Sequence, residues 1–417
     1  MRTLPRFWMI GLLSLVLIAP VGAQEWTRFR GPNGSGHGQA TVPTTFTEKD
    51  FVWKVEIPGV GFSSPVLWGE KVFVTSADPK NGTRIVLCID AKNGKTLWSQ
   101  HYPATTYHTH LRNSYATSTP TVDAERLYLL WATPEQLTAL ALDHDGKLLW
   151  QSDLGGYRSQ HGFGVSPILL DGKLIINNDM DGNGSLIALD GRTGKEVWNV
   201  PRRGKNATYS TPCVYQPAGS AAQLIFTNWQ HGITSIDPAT GKTNWEISVF
   251  EPSKPERAIA SPVVAGDLIL GTCGFVTAQK HFVAVRPPTP GMAEAKPQEA
   301  WRLERQVSYL PTPLVKGDRV FLCSERGVAS CLNLKTGEVI WQERVPGANY
   351  SASPILIDDR IFCISNEGDV LVLRAADQFE ILGRSSLGDG TQSTPALAND
   401  RMYIRTNGHL IALGGKK

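Results

Sequence analysis

The side chains best suited to binding or proton transfer crowd into two stretches of this sequence. Between Trp98 and Pro120 stand His101, His108, His110, Arg112 and Tyr115, with further tyrosines and Asn113. Between Trp150 and Pro167 stand Tyr157, Arg158, Gln160 and His161. Four of the nine histidines fall in these two stretches. Imidazole, guanidinium and phenol groups together offer hydrogen-bond donors, positive charge and flat apolar faces. Such a surface suits an anionic or planar ligand, an acidic peptide or a glycan among them. His108, His110, Arg112, Tyr115, Arg158 and His161 are therefore the candidate ligand-binding residues. Corresponding stretches further on add Arg202, Arg203, Lys205, Tyr209, Arg257, Tyr309, Tyr350 and Gln392.

Other chemistries find less support. His108 and His110 are spaced as two metal ligands, but no Cys, Asp or Glu lies close enough in sequence to complete a set, so no metal site is expected. Asp179, Asp181 and Asn183 begin like a calcium loop and lack its distal Glu, so a plain β-turn is expected there. No Gly-x-Ser-x-Gly elbow and no phosphate-binding glycine pattern occurs, and catalytic residues stay unassigned. The six cysteines include no Cys-x-x-Cys and no adjacent pair, which excludes c-type haem attachment and a zinc ribbon. Cys323 and Cys331 flank a turn at Glu325-Arg326-Gly327. Sequence leaves open whether they form a disulfide or remain buried thiols.

The elements that position these residues repeat. Asp-x-x-x-Gly-x-x-x-Trp occurs at Asp90…Trp98, Asp190…Trp198 and Asp237…Trp245, with variants ending at Trp150 and Trp341. Ser/Thr-Pro opens an apolar run at Pro65, Pro120, Pro167, Pro212, Pro262, Pro313, Pro354 and Pro395, eight starts with a period near 47. Each period holds four short strands separated by turn signals, the pattern of a propeller blade. The Asp side chain caps turn amides and the Gly supplies a positive φ. The Trp offers a flat wedge between blades. Proline, lacking a donor, is tolerated at the start of an innermost strand. Residues 51–55 read as a fourth strand without its first three, and 395–413 as three strands without a fourth. The expectation is an all-β, eight-bladed propeller over 51–413, its ring closed by the N-terminal strand joining the C-terminal blade. Arg286 through Glu299, rich in Pro, Ala and Glu, replaces the usual turn in one blade and reads as a mobile outer loop. All Trp-to-Pro stretches then lie on one face, where the candidate residues meet.

Residues 1–23 read as a cleaved secretory signal peptide: Arg2 and Arg6, an apolar run over Trp8–Ile18, then Val21-Gly22-Ala23. Residues 24–50 form an N-terminal extension and 414–417 a tail. A periplasmic or secreted protein with no membrane span after cleavage follows. Of the 417 residues 19% are charged, and the net charge of +3 falls to about +1 without Arg2 and Arg6. That balance argues against a nucleic-acid partner.

The stretch Leu186-Ile187-Ala188-Leu189-Asp190-Gly191-Arg192-Thr193-Gly194-Lys195-Glu196-Val197-Trp198 resembles the pyrroloquinoline-quinone (PQQ) repeat, and the likeness extends over nearly the whole mature chain. Trp26-x-x-Phe29-Arg30-Gly31-Pro32-Asn33-Gly34 is similar to the start of many exported PQQ-repeat proteins. The resemblance implies one of two roles: a quinoprotein alcohol dehydrogenase holding PQQ with Ca²⁺ on the axis, or a BamB-like propeller without cofactor that binds proteins. The chain departs from both. It lacks the adjacent Cys-Cys of the first and the N-terminal lipid-bearing Cys of the second, and the Ca²⁺ ligands cannot be placed on it. The expected function is a non-catalytic binding or scaffold protein, without cofactor, taking a protein, peptide or glycan of the cell envelope on its loop face. A PQQ-dependent oxidoreductase acting on an alcohol or sugar is the alternative.

Overall fold

The computed structural model describes residues 25–251, 256–275, 279–289, 295–347 and 349–415. The expected signal peptide, the middle of the 286–299 loop and the last two residues of the tail lie outside them. Each sequence period folds into a four-stranded antiparallel sheet, and eight such blades form the ring. Blade 3 shows the pattern with strands Ile168–Leu170, Lys173–Asn178, Gly182–Asp190 and Glu196–Gly204. First strands of neighbouring blades approach one another around the axis. Second and third strands are covered on both faces by adjacent blades, so they read as largely apolar runs such as Leu137–Asp143, interrupted there only by Thr138 before the closing Asp143. Fourth strands form the perimeter and alternate exposed with half-buried residues, as in Thr96–Tyr102. Phe51–Glu56 pairs antiparallel with His409–Gly414 and completes blade 8.

The repeated tryptophan and glycine meet across five of the eight blade boundaries. Trp98 Nε1 donates to the His144 carbonyl of the next blade at 2.9 Å, Trp150 to Gly191 at 2.9 Å and Trp301 to Leu334 at 2.8 Å. A Cβ added to Gly194 would lie 2.5 Å from the Trp150 ring, and one on Gly146 2.9 Å from Trp98. The glycine thus serves twice: it takes a positive φ, and it lets the neighbour's indole lie flat on the turn. Where blade 5 carries Arg286-Pro287-Pro288 in place of that turn, Trp245 has no such carbonyl and donates to Gln223 of its own blade at 2.9 Å.

In six of the eight blades the residue before the proline links the inner strands. Ser64 N–H donates to Thr119 Oγ1 at 2.9 Å, Thr119 to Ser166 Oγ at 3.0 Å and Thr211 to Ser261 Oγ at 3.1 Å. Ser261 continues to Thr312, Thr312 to Ser353 and Ser353 to Thr394, each at 3.0 Å. At the closing seam between blades 8 and 1, buried Arg405 takes over, bonding Ser63 Oγ, Ser76 Oγ and the Thr75 carbonyl.

The extension expected over 24–50 crosses the ring. Thr27 accepts the Val122 N–H of blade 2 at 2.9 Å, and Asn33 exchanges two hydrogen bonds of 2.8 Å with Val214 of blade 4. His37–Gly38 adds a short parallel strand to blade 7, a fifth strand that the repeat did not foretell. Ala40, Val42 and Phe46 are then buried against blades 7 and 8, where Leu382 stands in place of the usual tryptophan.

All six cysteines are buried free thiols. Cys323 pairs with Ala329 and Cys331 with Phe321 in the antiparallel register, so the two cysteines do not oppose each other across their hairpin.

Thr312→Val keeps the side-chain shape and removes the acceptor for the buried Ser261 amide. The expected result is a loss of about 1–3 kcal/mol of stability, measured by chemical denaturation.

Candidate functional site

The ring of inner strands encloses a cavity of about 460 Å³ on the axis. Its wall is the hydroxyl ring itself: Thr119, Ser166, Thr211, Thr312, Ser353 and Thr394. Phe29 of the crossing N-terminal segment also lines it, and His110, Arg112, His161, Tyr209, Arg257 and Tyr309 complete it on the loop side. Of the six candidate residues, the structure brings His110, Arg112 and His161 together at this cavity. The other three lie elsewhere. Tyr115 staples its own loop: its ring lies 5.0 Å from that of Tyr107, its hydroxyl donates to the Tyr107 carbonyl at 2.7 Å, and the Arg84 guanidinium sits 4.9 Å from the ring. His108 and Arg158 are exposed and do not line the cavity. The Trp-to-Pro loops are long enough to curl, so sequence position within them did not fix which side chains turn inward.

The two histidines sit ring to ring, with centroids 4.6 Å apart. His110 Nδ1 accepts the Arg112 N–H at 3.1 Å, and Asn113 Nδ2 donates to the His161 carbonyl at 2.7 Å. His161 Nδ1 is buried without a hydrogen-bond partner. Burial first, then the Arg257 guanidinium and His110, push the His161 imidazole down to about 4. It is neutral at pH 7. The unfolded chain would protonate this group near its ordinary value while the fold resists, so its contribution to stability is lost as pH falls from about 6.5 towards 4. Arg257 is held by the Ala207 carbonyl at 3.0 Å, by Asp181 Oδ1 at 3.4 Å and over the Tyr209 ring.

Charge under the cavity is also positive. Arg28 donates to the Pro212 carbonyl at 2.5 Å, and Arg30 to the Pro313 and Pro354 carbonyls at 2.9 Å each. Both guanidiniums are buried and bond only carbonyl oxygens of the protein. Burial lowers them to about 10 and about 9, still charged at neutral pH. Among the described residues no Asp or Glu lines the cavity. Three acids near its wall, Asp181, Glu325 and Asp179, are already engaged. Asp181 accepts the Ala207 and Gln160 amides besides Arg257. Glu325 takes Lys280 and the Tyr309 N–H. Asp179 forms a buried pair with Arg202 at 3.3 Å and takes Asn228 Nδ2 at 2.8 Å. Asp179 and Asp181 therefore serve the connection between strands of blade 3 and neighbouring side chains. A calcium ion, which needs several oxygen ligands with carboxylates among them, does not fit the residues around the cavity.

Sequence reading placed Tyr209, Arg257, Tyr309 and Gln392 on the rim but not in the candidate set, and it passed over Phe29 as a site residue. The signal for the wall was present in the repeated Ser/Thr before each proline, which lines the cavity in six of the eight blades.

Eight four-stranded blades around a polar-walled axial cavity define a PQQ-repeat propeller. The family model described as "Outer membrane protein assembly factor BamB" matches residues 40–161, 86–343 and 291–416, and the chain belongs to this family. The 1-butanol dehydrogenase (cytochrome c) of Thauera butanivorans is 31% identical over 164 residues, 34% of this chain and 22% of that protein. This chain thus matches about a fifth of that relative's length. BamB from Moraxella catarrhalis superposes with a TM-score of 0.58 at 17% identity, covering 87% of this chain and 98% of that one. The quinohemoprotein alcohol dehydrogenase of Comamonas testosteroni superposes with a TM-score of 0.67 at 13% identity, covering 94% and 81%. At these identities the superpositions carry the fold alone. Among the described residues no helix is long and apolar enough to cross a membrane.

Arg257→Met should raise the His161 pKa above 4 but leave it below its ordinary value, because burial is the larger cause. A histidine NMR titration reads this directly; an unchanged or lower value would remove Arg257 from the electrostatics of the site.

Proposed function

We propose that this protein is an exported, non-catalytic binding propeller whose ligand inserts an anionic group into the axial cavity from the loop face. The observation that carries the reading is the charge of that cavity. Arg112 and Arg257 line it, Arg28 and Arg30 lie buried beside its Phe29 end without a carboxylate partner, and no described acid faces it. Arg257 is partly balanced by Asp181 and Arg112 is exposed, so the attraction rests on Arg28 and Arg30: uncompensated cations in a low-dielectric surround attract an anion more strongly than the same groups in water. The hydroxyl ring supplies donors for oxygen atoms, and the aliphatic and aromatic wall excludes water. A protein, peptide or glycan of the cell envelope carrying an acidic group fits this description. Family membership alongside envelope assembly factors supports an extracytoplasmic setting.

The alternative is a PQQ-dependent oxidoreductase. Its support is the partial match to a butanol dehydrogenase and the fit of a quinone carboxylate to a cationic cavity. Against it stands the same charge: the described lining offers neither a carboxylate to act as base nor a ligand set for calcium.

Titration of residues 24–417 with PQQ, followed by tryptophan fluorescence with and without Ca²⁺, separates the readings. The binding reading expects any saturable quenching to be independent of Ca²⁺, with no dye-linked oxidation of alcohols or sugars. Calcium-dependent binding with turnover would install the oxidoreductase instead. Arg112→Ala combined with His161→Ala should leave the melting temperature nearly unchanged and weaken anion binding about tenfold or more, one charge-assisted hydrogen bond being worth about 1.5–3 kcal/mol. A large loss of stability would assign these side chains to structure.

A further inference from the structure

Three of the six cysteines share one apolar cluster between blades 6 and 7, and two of them meet there. The second strand of blade 6, Arg319–Cys323, and that of blade 7, Arg360–Ile364, alternate their side chains between the two faces of their sheets. Val320 and Leu322 pack with blade 5, while Phe321 and Cys323 turn towards blade 7. Phe362 and Ile364 pack with blade 8, while Ile361 and Cys363 turn back towards blade 6. The two cysteine-bearing faces are therefore opposed. Cys323 and Cys363 are both buried, and their thiols are in hydrogen-bond contact. Cys331 lies in the same cluster on the third strand of blade 6, but its electrostatic neighbours are Asp377 and Arg319, not a thiol.

We propose that Cys323 and Cys363 are a disulfide-forming pair that fastens blade 6 to blade 7 when the chain folds in an oxidising compartment. A disulfide joining facing strands of two packed sheets has a precedent in the immunoglobulin sandwich, and an exported chain meets the oxidants that form it. The bond forms by exchange. One cysteine thiolate attacks a donor disulfide, that of oxidised glutathione or of a thiol–disulfide exchange enzyme, and releases one donor thiol. The second cysteine thiolate attacks the protein sulfur of the mixed disulfide and releases the other donor thiol. Two protein thiols are oxidised, the donor disulfide is reduced to two thiols, and the two cysteine protons end on those thiols. In the finished ring the Cys323 thiol is held well above its ordinary range, by the Cys363 hydrogen bond first and by burial second, so thiolate is scarce there. Exchange therefore belongs to the folding chain, before blade 7 closes on blade 6. The inference is independent of the anion reading of the axial cavity.

The test refolds the reduced, denatured mature chain in a glutathione redox buffer. Thiol titration in denaturant should then find four of the six cysteines free, and the intact mass should fall by two hydrogen atoms. Protease digestion should yield a crosslinked pair of peptides carrying Cys323 and Cys363. Cys331→Ala should leave that crosslink in place, and Cys363→Ala should abolish it. Dithiothreitol should lower the denaturation midpoint of the oxidised wild type and leave that of Cys363→Ala unmoved, because a crosslink constrains the unfolded chain. Six free thiols after refolding overturn the proposal, as does a bond joining Cys323 to any other cysteine. A crosslink whose reduction leaves the midpoint unmoved overturns the fastening role. Should Cys363→Ala fail to fold, the crosslink map and the midpoint shift of the wild type decide by themselves.

Discussion

The architecture depends on what happens where proline removes a donor. Each innermost strand follows a residue that has no N–H, and in six of the eight blades the residue before it hands its own N–H to a hydroxyl on the next blade. That hydroxyl must be short and fixed to its backbone, so Ser or Thr stands there in every repeat. The link sets how closely neighbouring blades approach at the axis, and with that the width of the central space. It also decides what faces that space. A propeller whose inner ring is joined by hydroxyls has a polar-walled centre, whatever its loops carry.

The outer seam works by a different rule. There the indole of one blade lies on the glycine of the next and donates to a carbonyl beside it. Apolar area and one hydrogen bond act together, which a leucine cannot reproduce. Where leucine does occupy the tryptophan position, at Leu382, the N-terminal segment covers the seam with Ala40, Val42 and Phe46. The repeat and its exception are thus two solutions to one packing problem.

Much of this was legible in the residues. The period of Ser/Thr-Pro and the Asp-Gly-Trp spacing gave blade number, strand count and ring closure, because each motif acts within one blade or between adjacent ones. The N-terminal segment was not legible. Its partners are Pro313 and Pro354, hundreds of residues away, and no local periodicity marks such contacts. The site was legible in part. The loops carrying His110, Arg112 and His161 stood out by composition. Which of their side chains turn inward depends on local folding such as the Tyr107–Tyr115 staple, which drew Tyr115 away from the ligand face. Phe29 read as one letter of the Trp26–Gly34 motif, because its place in the cavity lining appears only once the ring is closed around it.

The crossing of residues 26–46 over the finished ring has a consequence for how the chain is made. These residues emerge first during synthesis, yet the strands they bind in blades 7 and 8 emerge last. Until then the part from His37 to Phe46 has nowhere to dock, and Phe51–Glu56 has no sheet to join. Contacts of such long sequence separation slow the final step of folding, since the loop they close must be ordered first. The blades accumulate as an open arc whose end faces are apolar, and the last one sews both ends shut. A chain built this way gains the ring's rigidity only when its last blade has formed.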